Sequence, residues 1–281
     1  MTPPRQTLAE ALRAAIPRLH AAEIPGAPRD ARLLLAHATG IAPDRLTLHL
    51  PDPLPADAAA RYDAAVTARC ARQPLSQITG QRLFWGHSFR VTGAVLDPRP
   101  ETEILVAAAL EKLFSAVLDL GTGSGAILLS CLADRPMATG LGTDISDAAL
   151  AVARQNAADL QLTARASFHI SDWCSAVQGR FDLIVSNPPY LAAAELAGLS
   201  PEVRDWEPHL ALTPGGDGLD AYRQIARQAP DHLTPGGWLL VEIGPTQGQA
   251  VAGLFAAAGL RVRGVRQDMD GRDRVVEAAK H

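Results

Sequence analysis

The sequence predicts an α/β protein with an open, mostly parallel β-sheet, preceded by a small helical domain. From about Thr102 onward, short apolar runs that fit strands alternate with alanine-rich helical stretches. This alternation implies right-handed β-α-β units, with helices covering both faces of the sheet. The first 75 residues instead show helical spacing of apolar residues and no alternation typical of strands, which favours a helical bundle.

The length and charge of the chain narrow its possible partners. Its 281 residues, 47% hydrophobic and 20% charged, are typical of a globular protein with one large domain, or with one large and one small domain. A net charge of −4, from 30 acidic and 26 basic residues, argues against sequence-independent binding to nucleic acid. Such binding needs a basic face, so we expect no direct nucleic-acid partner.

Cysteine and histidine spacing gives no sign of a disulfide framework or a metal site. The three cysteines form no C-x-x-C pair, and the eight histidines are scattered, so we expect reduced thiols, no metal and a cytoplasmic protein. The polar stretch Met1–Glu10 lacks the apolar segment of a signal peptide. The apolar runs are too short to span a bilayer, so no membrane partner is expected.

Helix signals divide the N-terminal region into three parts. Thr7 begins a capping box, and Pro17 falls inside the helical pattern that follows, where proline can kink or split a helix. A second helix is expected from the first-turn residue Pro28 to Gly40, and a third over Pro55–Arg72.

The residue composition changes between the two predicted domains. Aromatic and β-branched residues lie among glycines between Ile78 and Pro98, which favours short strands and turns. We therefore expect a helical domain over residues 1–75, a linker hairpin over 76–98 and the α/β domain over 99–281.

The α/β domain is predicted in some detail. Strands are expected at Ala116–Leu120, Leu141–Asp144, Ser167–Ile170, Phe181–Val185 and Trp238–Ile243, and helices at Ala148–Leu160, Ala221–Ala229 and Gln247–Ala258. The last two strand-like runs, Arg261–Arg266 and Arg274–Ala278, have no helix between them and are expected to pair antiparallel.

A glycine-rich loop follows the first of these strands. Its candidate ligand-binding residues are Gly121, Thr122, Gly123, Ser124 and Gly125. Glycines let a backbone turn sharply and approach a ligand closely, and ligands bind at the carboxyl edge of open parallel sheets. Asp144, at the end of the next strand, can accept hydrogen bonds from both ribose hydroxyls. Asp119, just before the glycines, is placed to hold a charged amino-acid end, directly or through water.

The loop alone does not identify the ligand. Gly121, Gly123 and Ala126 also fit the dinucleotide fingerprint, with an acidic residue about 20 positions on, so S-adenosylmethionine and a nicotinamide cofactor both remain open. After the third strand, Trp173 can lie over an adenine ring and Asp172 can accept from its amino group; otherwise Trp173 is a core or rim residue.

The most informative stretch is the tetrapeptide Asn187-Pro188-Pro189-Tyr190, which directly follows a buried strand. Proline cannot extend the ladder, so the strand ends here, and the topology puts this end beside the glycine loop. Taken alone, the tetrapeptide also fits a strand-terminating turn.

These residues suit methyl transfer to a planar amide nitrogen. The lone pair of such a nitrogen is delocalised, and its two N–H donors lie in one plane. Two fixed acceptors off that plane would favour a pyramidal nitrogen aimed at a methyl group. The side-chain carbonyl of Asn187 and the main-chain carbonyl of Pro188, held by consecutive prolines, can be those acceptors. Tyr190 can stack on the planar amide.

The tetrapeptide resembles that of class I S-adenosylmethionine-dependent methyltransferases, which have a Rossmann-like fold. Two subfamilies share it: DNA adenine-N6 methyltransferases and protein-glutamine N5-methyltransferases. Further motifs resemble the release factor glutamine methyltransferases (the HemK/PrmC family), over nearly the whole chain: Arg72-Gln73-Pro74, Ile78-Thr79-Gly80, Phe84-Trp85-Gly86, Leu96–Glu103 and Asp268–Val275.

The resemblance implies a seven-stranded catalytic domain and an N-terminal domain for partner recognition. It implies S-adenosylmethionine as methyl donor, S-adenosylhomocysteine as product, and the glutamine of the Gly-Gly-Gln motif in class 1 peptide chain release factors as acceptor. By position, Gly121–Gly125, Asp144, Trp173 and Asn187 would contact the cofactor, and Asn187–Tyr190 the glutamine. A monomer is expected.

Two points stay open. Asp97 stands where the family usually has an aliphatic residue, and its side chain is expected either to be exposed or to alter the hairpin. A DNA adenine-N6 methyltransferase is the alternative function, although it would need a positively charged groove for a flipped base.

Overall fold

The computed structural model describes residues 6–281, so the first half of the polar stretch Met1–Glu10 lies outside the described residues. The chain divides into two compact units. One, the helical unit, comprises the described residues up to Gly80 together with Ser200–Trp206. The other, the α/β unit, comprises Gln81–Leu199 and Glu207–His281.

The helices and strands are as follows. The helical unit contains α1 (Leu8–Ala21), α2 (Ala27–Thr39), α3 (Leu46–His49), α4 (Ala56–Cys70), α5 (Leu75–Thr79) and, later in the chain, α9 (Pro201–Trp206). The helices of the α/β unit are α6 (Glu103–Leu110), α7 (Ala126–Asp134), α8 (Asp147–Asp159), α10 (His209–Leu212), α11 (Asp220–Gln228) and α12 (Gly248–Ala257). Its strands are β1 (Gln81–Phe84), β2 (His87–Arg90), β3 (Ala116–Leu120), β4 (Thr139–Asp144), β5 (Ala166–Ile170), β6 (Phe181–Ser186), β7 (Leu233–Glu242), β8 (Arg261–Gln267) and β9 (Asp273–Ala279).

The helix signals of the N-terminal region are confirmed. The Thr7 hydroxyl accepts from the Glu10 amide and the Glu10 carboxylate accepts from the Thr7 amide, so the capping box is complete. Helix α1 runs through Pro17 and is not split there. Gly26 and Gly40, both left-handed, bound α2 as the glycine signals predict.

A buried ion-pair network holds α9 within the helical unit. Arg69 is 6% exposed, and its Nε donates to Asp30 Oδ2 at 2.8 Å. Both terminal nitrogens of Arg69 donate to Glu202 Oε1 at 3.1 Å, and Arg72 Nη2 donates to Glu202 Oε2 at 2.8 Å. Buried charges persist when they are paired in this way. The sequence did not predict this association, because Glu202 lies between two strands of the other unit.

The sheet order confirms the predicted α/β architecture. The seven-stranded sheet has the order β5-β4-β3-β6-β7-β9-β8. The five strands from β3 to β7 pair parallel, and β9 pairs antiparallel with both β7 and β8. Strands β1 and β2 form the predicted hairpin.

The two faces of the sheet carry separate hydrophobic cores. Val117 and Val185 face one core, which includes buried residues of α6, α7 and α8. The alternate residues Leu118 and Ile184 face the other, which includes residues of α11 and α12. This period of two is what a central parallel strand shows when helices cover both faces.

Two glycines of β4 leave room for neighbouring side chains. A Cβ at Gly140 would lie 2.4 Å from Leu128 Cδ1 of α7, and one at Gly142 would lie 2.8 Å from Phe168 Cδ1 of the paired strand β5. Helix α7 therefore fits against β4 because Gly140 carries no side chain, and the Phe168 ring lies against Gly142 for the same reason.

Replacing Gly140 by alanine is expected to lower the free energy of unfolding by about 1–3 kcal/mol, because the added methyl overpacks the core against Leu128. Urea denaturation followed by circular dichroism measures the change. The matched control is Gly264→Ala in strand β8, where a Cβ meets nothing within 4 Å. Equal stabilities of the two variants would show that the close approach at β4 is not needed.

Candidate active site

A cavity of about 450 Å³ opens in the α/β unit where the parallel strands end. Its lining includes most of the predicted site residues: Gly121, Thr122, Gly123, Ser124, Asp144, Asp172, Trp173, Asn187 and Pro189. The volume falls within the range of about 300–1,000 Å³ that is usual for small-molecule sites.

Strand register brings three of these residues together. Leu120, the last residue of β3, pairs with Thr143 of β4 on one side and with Ser186 of β6 on the other. Gly121, Asp144 and Asn187 each follow directly after one of these aligned residues. The glycine loop, the acidic residue and the tetrapeptide therefore leave the sheet side by side.

The glycine loop is fixed to the end of β4 by a carboxylate. Gly121 and Gly123 have φ angles of +68° and +54°, which favour glycine. The Gly123 amide donates to Asp144 Oδ2 at 2.9 Å, and the Ser146 amide donates to Asp144 Oδ1 at 2.9 Å. Each carboxylate oxygen can accept a further donor. This geometry therefore allows Asp144 to bind ribose hydroxyls, and that contact stays a prediction.

Two predicted cofactor residues, Gly125 and Asp119, do not line the cavity. Gly125 caps α7 with a φ of +80°, and a Cβ there would lie 3.1 Å from Leu129 Cδ1. A glycine here therefore also allows close packing around α7, and the predicted contact of Gly125 with a cofactor stays a prediction. Asp119 is fully buried and accepts from the Thr122 hydroxyl at 2.7 Å. Burial raises the pKa of Asp119 to about 7, although the hydrogen bond from Thr122 lowers it.

Trp173 lies against the glycine loop in an unusual backbone conformation. Its φ is +52°, in the left-handed region, and a Cβ at Gly121 would lie 3.8 Å from Trp173 Cζ3. Such strain in a residue with a large side chain is concentrated at functional sites. Asp172 and Trp173 both line the cavity, whereas their contacts with an adenine ring stay predictions.

The tetrapeptide is divided between the cavity and the protein interior. Asn187 and Pro189 line the cavity, and Pro188 and Tyr190 do not. The Tyr190 ring packs against the core on the α11 and α12 face, and burial raises its pKa. The roles of the Pro188 carbonyl and the Tyr190 ring towards an acceptor amide therefore stay predictions.

A hydrogen bond that the sequence did not predict orients Asn187. Its Nδ2 donates to Thr102 Oγ1 at 3.2 Å, and Thr102 is buried beside the cavity. The side-chain oxygen of Asn187 is thereby left to accept a hydrogen bond. Thr102 lies in a 3-10 turn, Pro100–Thr102, that leads into α6, and only the tertiary fold brings it to Asn187.

Asp97, which stands where the family usually has an aliphatic residue, is buried. Of the two alternatives for its side chain, the exposed one is therefore wrong. Asp97 is 6% exposed and lines the cavity, with Oδ2 3.7 Å from Arg82 Nη1 of β1. The guanidinium of Arg82 compensates the buried charge. Nearby, Arg99 Nη2 donates to both carboxylate oxygens of Glu207 at 2.7 Å.

Among residues 6–281 no group of three or more His, Cys, Asp or Glu side chains could hold a metal ion. Within the same residues, no helix combines the length and apolar character needed to cross a membrane.

Comparison with known families and proteins matches both halves of the chain. Residues 10–80 match the family described as the PrmC N-terminal domain, and residues 96–199 match the methyltransferase small domain. A release factor glutamine methyltransferase of Cereibacter sphaeroides is 65% identical, with 96% of this chain and 97% of that protein covered. Its counterpart in Moorella thermoacetica is 44% identical, covering 95% of this chain and 96% of its own length.

Solved structures agree with the fold. A methyltransferase from Pyrococcus furiosus superposes with a TM-score of 0.53 at 17% identity, covering 68% of this chain and 88% of that one. The T. thermophilus 16S rRNA methyltransferase RsmC, in complex with AdoMet and guanosine, gives a TM-score of 0.51 at 21% identity. The match covers 72% of this chain and 50% of that one. The α/β unit therefore has a methyltransferase fold.

Asp144→Asn is expected to weaken binding of S-adenosylhomocysteine about tenfold or more, because an amide has one acceptor oxygen for the two backbone N–H groups that Asp144 now satisfies. Isothermal titration calorimetry measures the affinity. Asp147→Asn, an exposed position that changes the net charge equally, is the control. Equal affinities of the two variants would contradict the role of Asp144.

Proposed function

We propose that this chain, which belongs to the release factor glutamine methyltransferase family, methylates the side-chain amide nitrogen (N5) of a glutamine in a protein partner. The partner is a class 1 peptide chain release factor and the glutamine is that of its Gly-Gly-Gln motif. S-adenosylmethionine is the donor and S-adenosylhomocysteine the product. Family membership supports the reaction class, and the resemblance of the motifs supports the acceptor.

The orientation of Asn187 is the observation that carries the proposal. Its Nδ2 is engaged by Thr102, so its oxygen remains as an acceptor at the cavity. The amide of a glutamine side chain brings two N–H donors and a weak, delocalised lone pair. A hydrogen bond to Asn187 Oδ1 from one of these donors fixes the nitrogen and draws it out of conjugation as it becomes tetrahedral.

The residues around the cavity fit a nucleoside carrying an amino acid. The glycine loop, Asp144, Asp172 and Trp173 would hold the cofactor. The Thr122 hydroxyl donates to the buried Asp119, and Asp119 would hold the charged amino-acid end through water. S-adenosylmethionine supplies, when bound, a methyl group activated by its sulfonium. The chain needs no general base before attack, because the nitrogen loses its proton more readily once it has become cationic.

The remaining groups of the tetrapeptide complete the proposed acceptor site. The Pro188 main-chain carbonyl is the second acceptor, and Tyr190 limits the position of the amide. Pro189, at the cavity, stiffens the same turn. The N-terminal domain, residues 1–75, recognises the release factor, and residues 76–98 link it to the catalytic domain.

The DNA adenine-N6 alternative is not favoured. The two release factor glutamine methyltransferases described above match this chain over nearly their whole length. The chain also carries a net charge of −4, whereas a groove for duplex DNA requires a positive field.

Asn187→Ala is expected to lower kcat for methylation of a release factor about 100- to 1,000-fold, which is the usual loss when one preorganised group is removed from a transition state. Transfer of label from S-adenosylmethionine, with mass spectrometry of tryptic peptides, measures the rate and the site. Gln155→Ala, which removes an exposed amide on α8, is the control and is expected to retain the wild-type rate.

The substrate control is a release factor whose motif glutamine is replaced. We expect it to remain unlabelled by the wild-type enzyme. Equal labelling of this protein and the native factor would reject the proposed function, and so would a wild-type rate for Asn187→Ala.

A further inference from the structure

We propose that Gln247 is a positioning residue that anchors the C-terminal end of the tetrapeptide, at Tyr190, and so keeps the Asn187 side chain and the Pro188 carbonyl where the acceptor site requires them. The inference rests on the proposed amide methylation, because those two groups have a role only towards an acceptor nitrogen. Gln247 is the N-cap of α12 and does not line the cavity. It can therefore act only through the residues that it holds.

The side-chain amide of Gln247 joins four segments of the α/β unit. Its Nε2 donates to the Tyr190 carbonyl at 2.9 Å and to the Gly218 carbonyl at 3.5 Å. Its Oε1 accepts from the Gly244 amide at 3.0 Å and lies 3.3 Å from the Tyr222 hydroxyl. An amide offers two N–H donors and one acceptor oxygen, so the hydrogen-bonding capacity of Gln247 is used in full between these segments.

Main-chain groups decide which way this amide points. The Gly244 N–H can only donate, and the Tyr190 and Gly218 carbonyls can only accept. Exchanging the oxygen and nitrogen of Gln247 would set donor against donor at Gly244 and acceptor against acceptor at Tyr190. The backbone of Gln247 is fixed as well, because its N–H donates to the Gly244 carbonyl and its carbonyl accepts from the Val251 N–H, both at 3.0 Å. The NH₂ end of Gln247 is therefore directed at the tetrapeptide.

Gly218 leaves the space in which this anchor contacts the tetrapeptide. Its φ is +79°, and a Cβ there would lie 2.4 Å from the Tyr190 carbonyl oxygen and 3.2 Å from Gln247 Nε2. A side chain at this position would therefore crowd the hydrogen bond between Gln247 and Tyr190. The next residue along the chain is held in turn, since the Thr213 hydroxyl donates to the Leu191 carbonyl at 2.6 Å. The chain that leaves the tetrapeptide thus follows a fixed path.

Two prolines transmit the anchor at Gln247 to the proposed acceptor groups. Their rings fix φ, so Pro188 and Pro189 leave few free rotations within the tetrapeptide. One end of the tetrapeptide is set by β6, whose last residue is Ser186, and Gln247 sets the other. Releasing the second end would let the Pro188 carbonyl and the Asn187 side chain shift, and a misplacement of about 1 Å can cost about 100-fold in rate.

The test that does not depend on catalysis is nuclear magnetic resonance of the Tyr190 carbonyl in the free enzyme. Of the three tyrosines only Tyr190 precedes a leucine, so carbonyl-labelled tyrosine combined with nitrogen-labelled leucine gives a single correlated signal. Gln247→Met keeps much of the side-chain volume and removes the donor, so this signal is expected to move upfield. The same substitution at Gln249, an exposed position of α12, is the matched control and should leave the signal in place.

Kinetics give the second readout. We expect Gln247→Met to lower kcat for methyl transfer about 10- to 100-fold, as for a misplaced catalytic group. The KM for the release factor and the affinity for S-adenosylhomocysteine should stay near their wild-type values. A loss confined to kcat marks an interaction that matters in the transition state, whereas general disruption of the site would also weaken cofactor binding. Gln249→Met should retain the wild-type kcat.

Gln247→Glu tests the direction of the amide. At about pH 8 the new carboxyl is ionised and can only accept, so it keeps the hydrogen bond from the Gly244 amide but opposes the Tyr190 carbonyl. We expect the Tyr190 signal and kcat to change in the same direction as in Gln247→Met. Gln249→Glu adds the same charge at the exposed position and should change neither.

A Tyr190 signal that stays in place in both Gln247 variants would overturn the inference. A wild-type kcat in Gln247→Met would also overturn it, and so would a loss of S-adenosylhomocysteine affinity as large as the loss of kcat. If the wild-type enzyme did not methylate the release factor while the Tyr190 signal moved as expected, the proposed function would fail and the anchoring of the tetrapeptide by Gln247 would stand.

Discussion

The alignment of three strand ends is the constraint on which the rest of this structure depends. Leu120 pairs with Thr143 and with Ser186, so the chain leaves three neighbouring parallel strands at one level. The Ser186 hydroxyl donates to the Leu120 carbonyl at 2.7 Å, and the Thr122 amide donates to the Thr143 carbonyl at 2.8 Å. These bonds hold the strand ends together beyond the regular ladder. A slip of one residue in either pairing would move Asn187 or Asp144 to the other face of the sheet.

Sequence reasoning found the residues whose position follows from local rules. Strand periodicity, glycine turns and the proline stop predict that Gly121, Asp144 and Asn187 end neighbouring strands, and the structure confirms that they meet. It could not find Thr102, because its role comes from a contact with Asn187, which lies far from it in the chain. Nothing in a threonine at a helix start indicates that it orients an asparagine in a distant loop.

The same limit applies to contacts that accompany the predicted site residues. Gly125 belongs to the ligand-loop motif, and a Cβ there would also meet Leu129 of α7 and Ala153 of α8. The Tyr190 ring is partly buried against the core, and a phenol can bury its apolar body while keeping a polar tip, so its place beside the acceptor amide stays a prediction. The return of Ser200–Trp206 to the helical unit depends on Arg69 and Arg72, which precede it by more than a hundred residues.

A crystal structure with S-adenosylhomocysteine and a glutamine-containing release factor peptide tests the central claim most directly. The account predicts that the glutamine side-chain nitrogen lies within about 3.2 Å of Asn187 Oδ1, facing the cofactor sulfur, with Asn187 Nδ2 still bonded to Thr102. An Asn187 side chain turned away from the peptide amide, or a glutamine bound outside the cavity formed by the three strand ends, would contradict it.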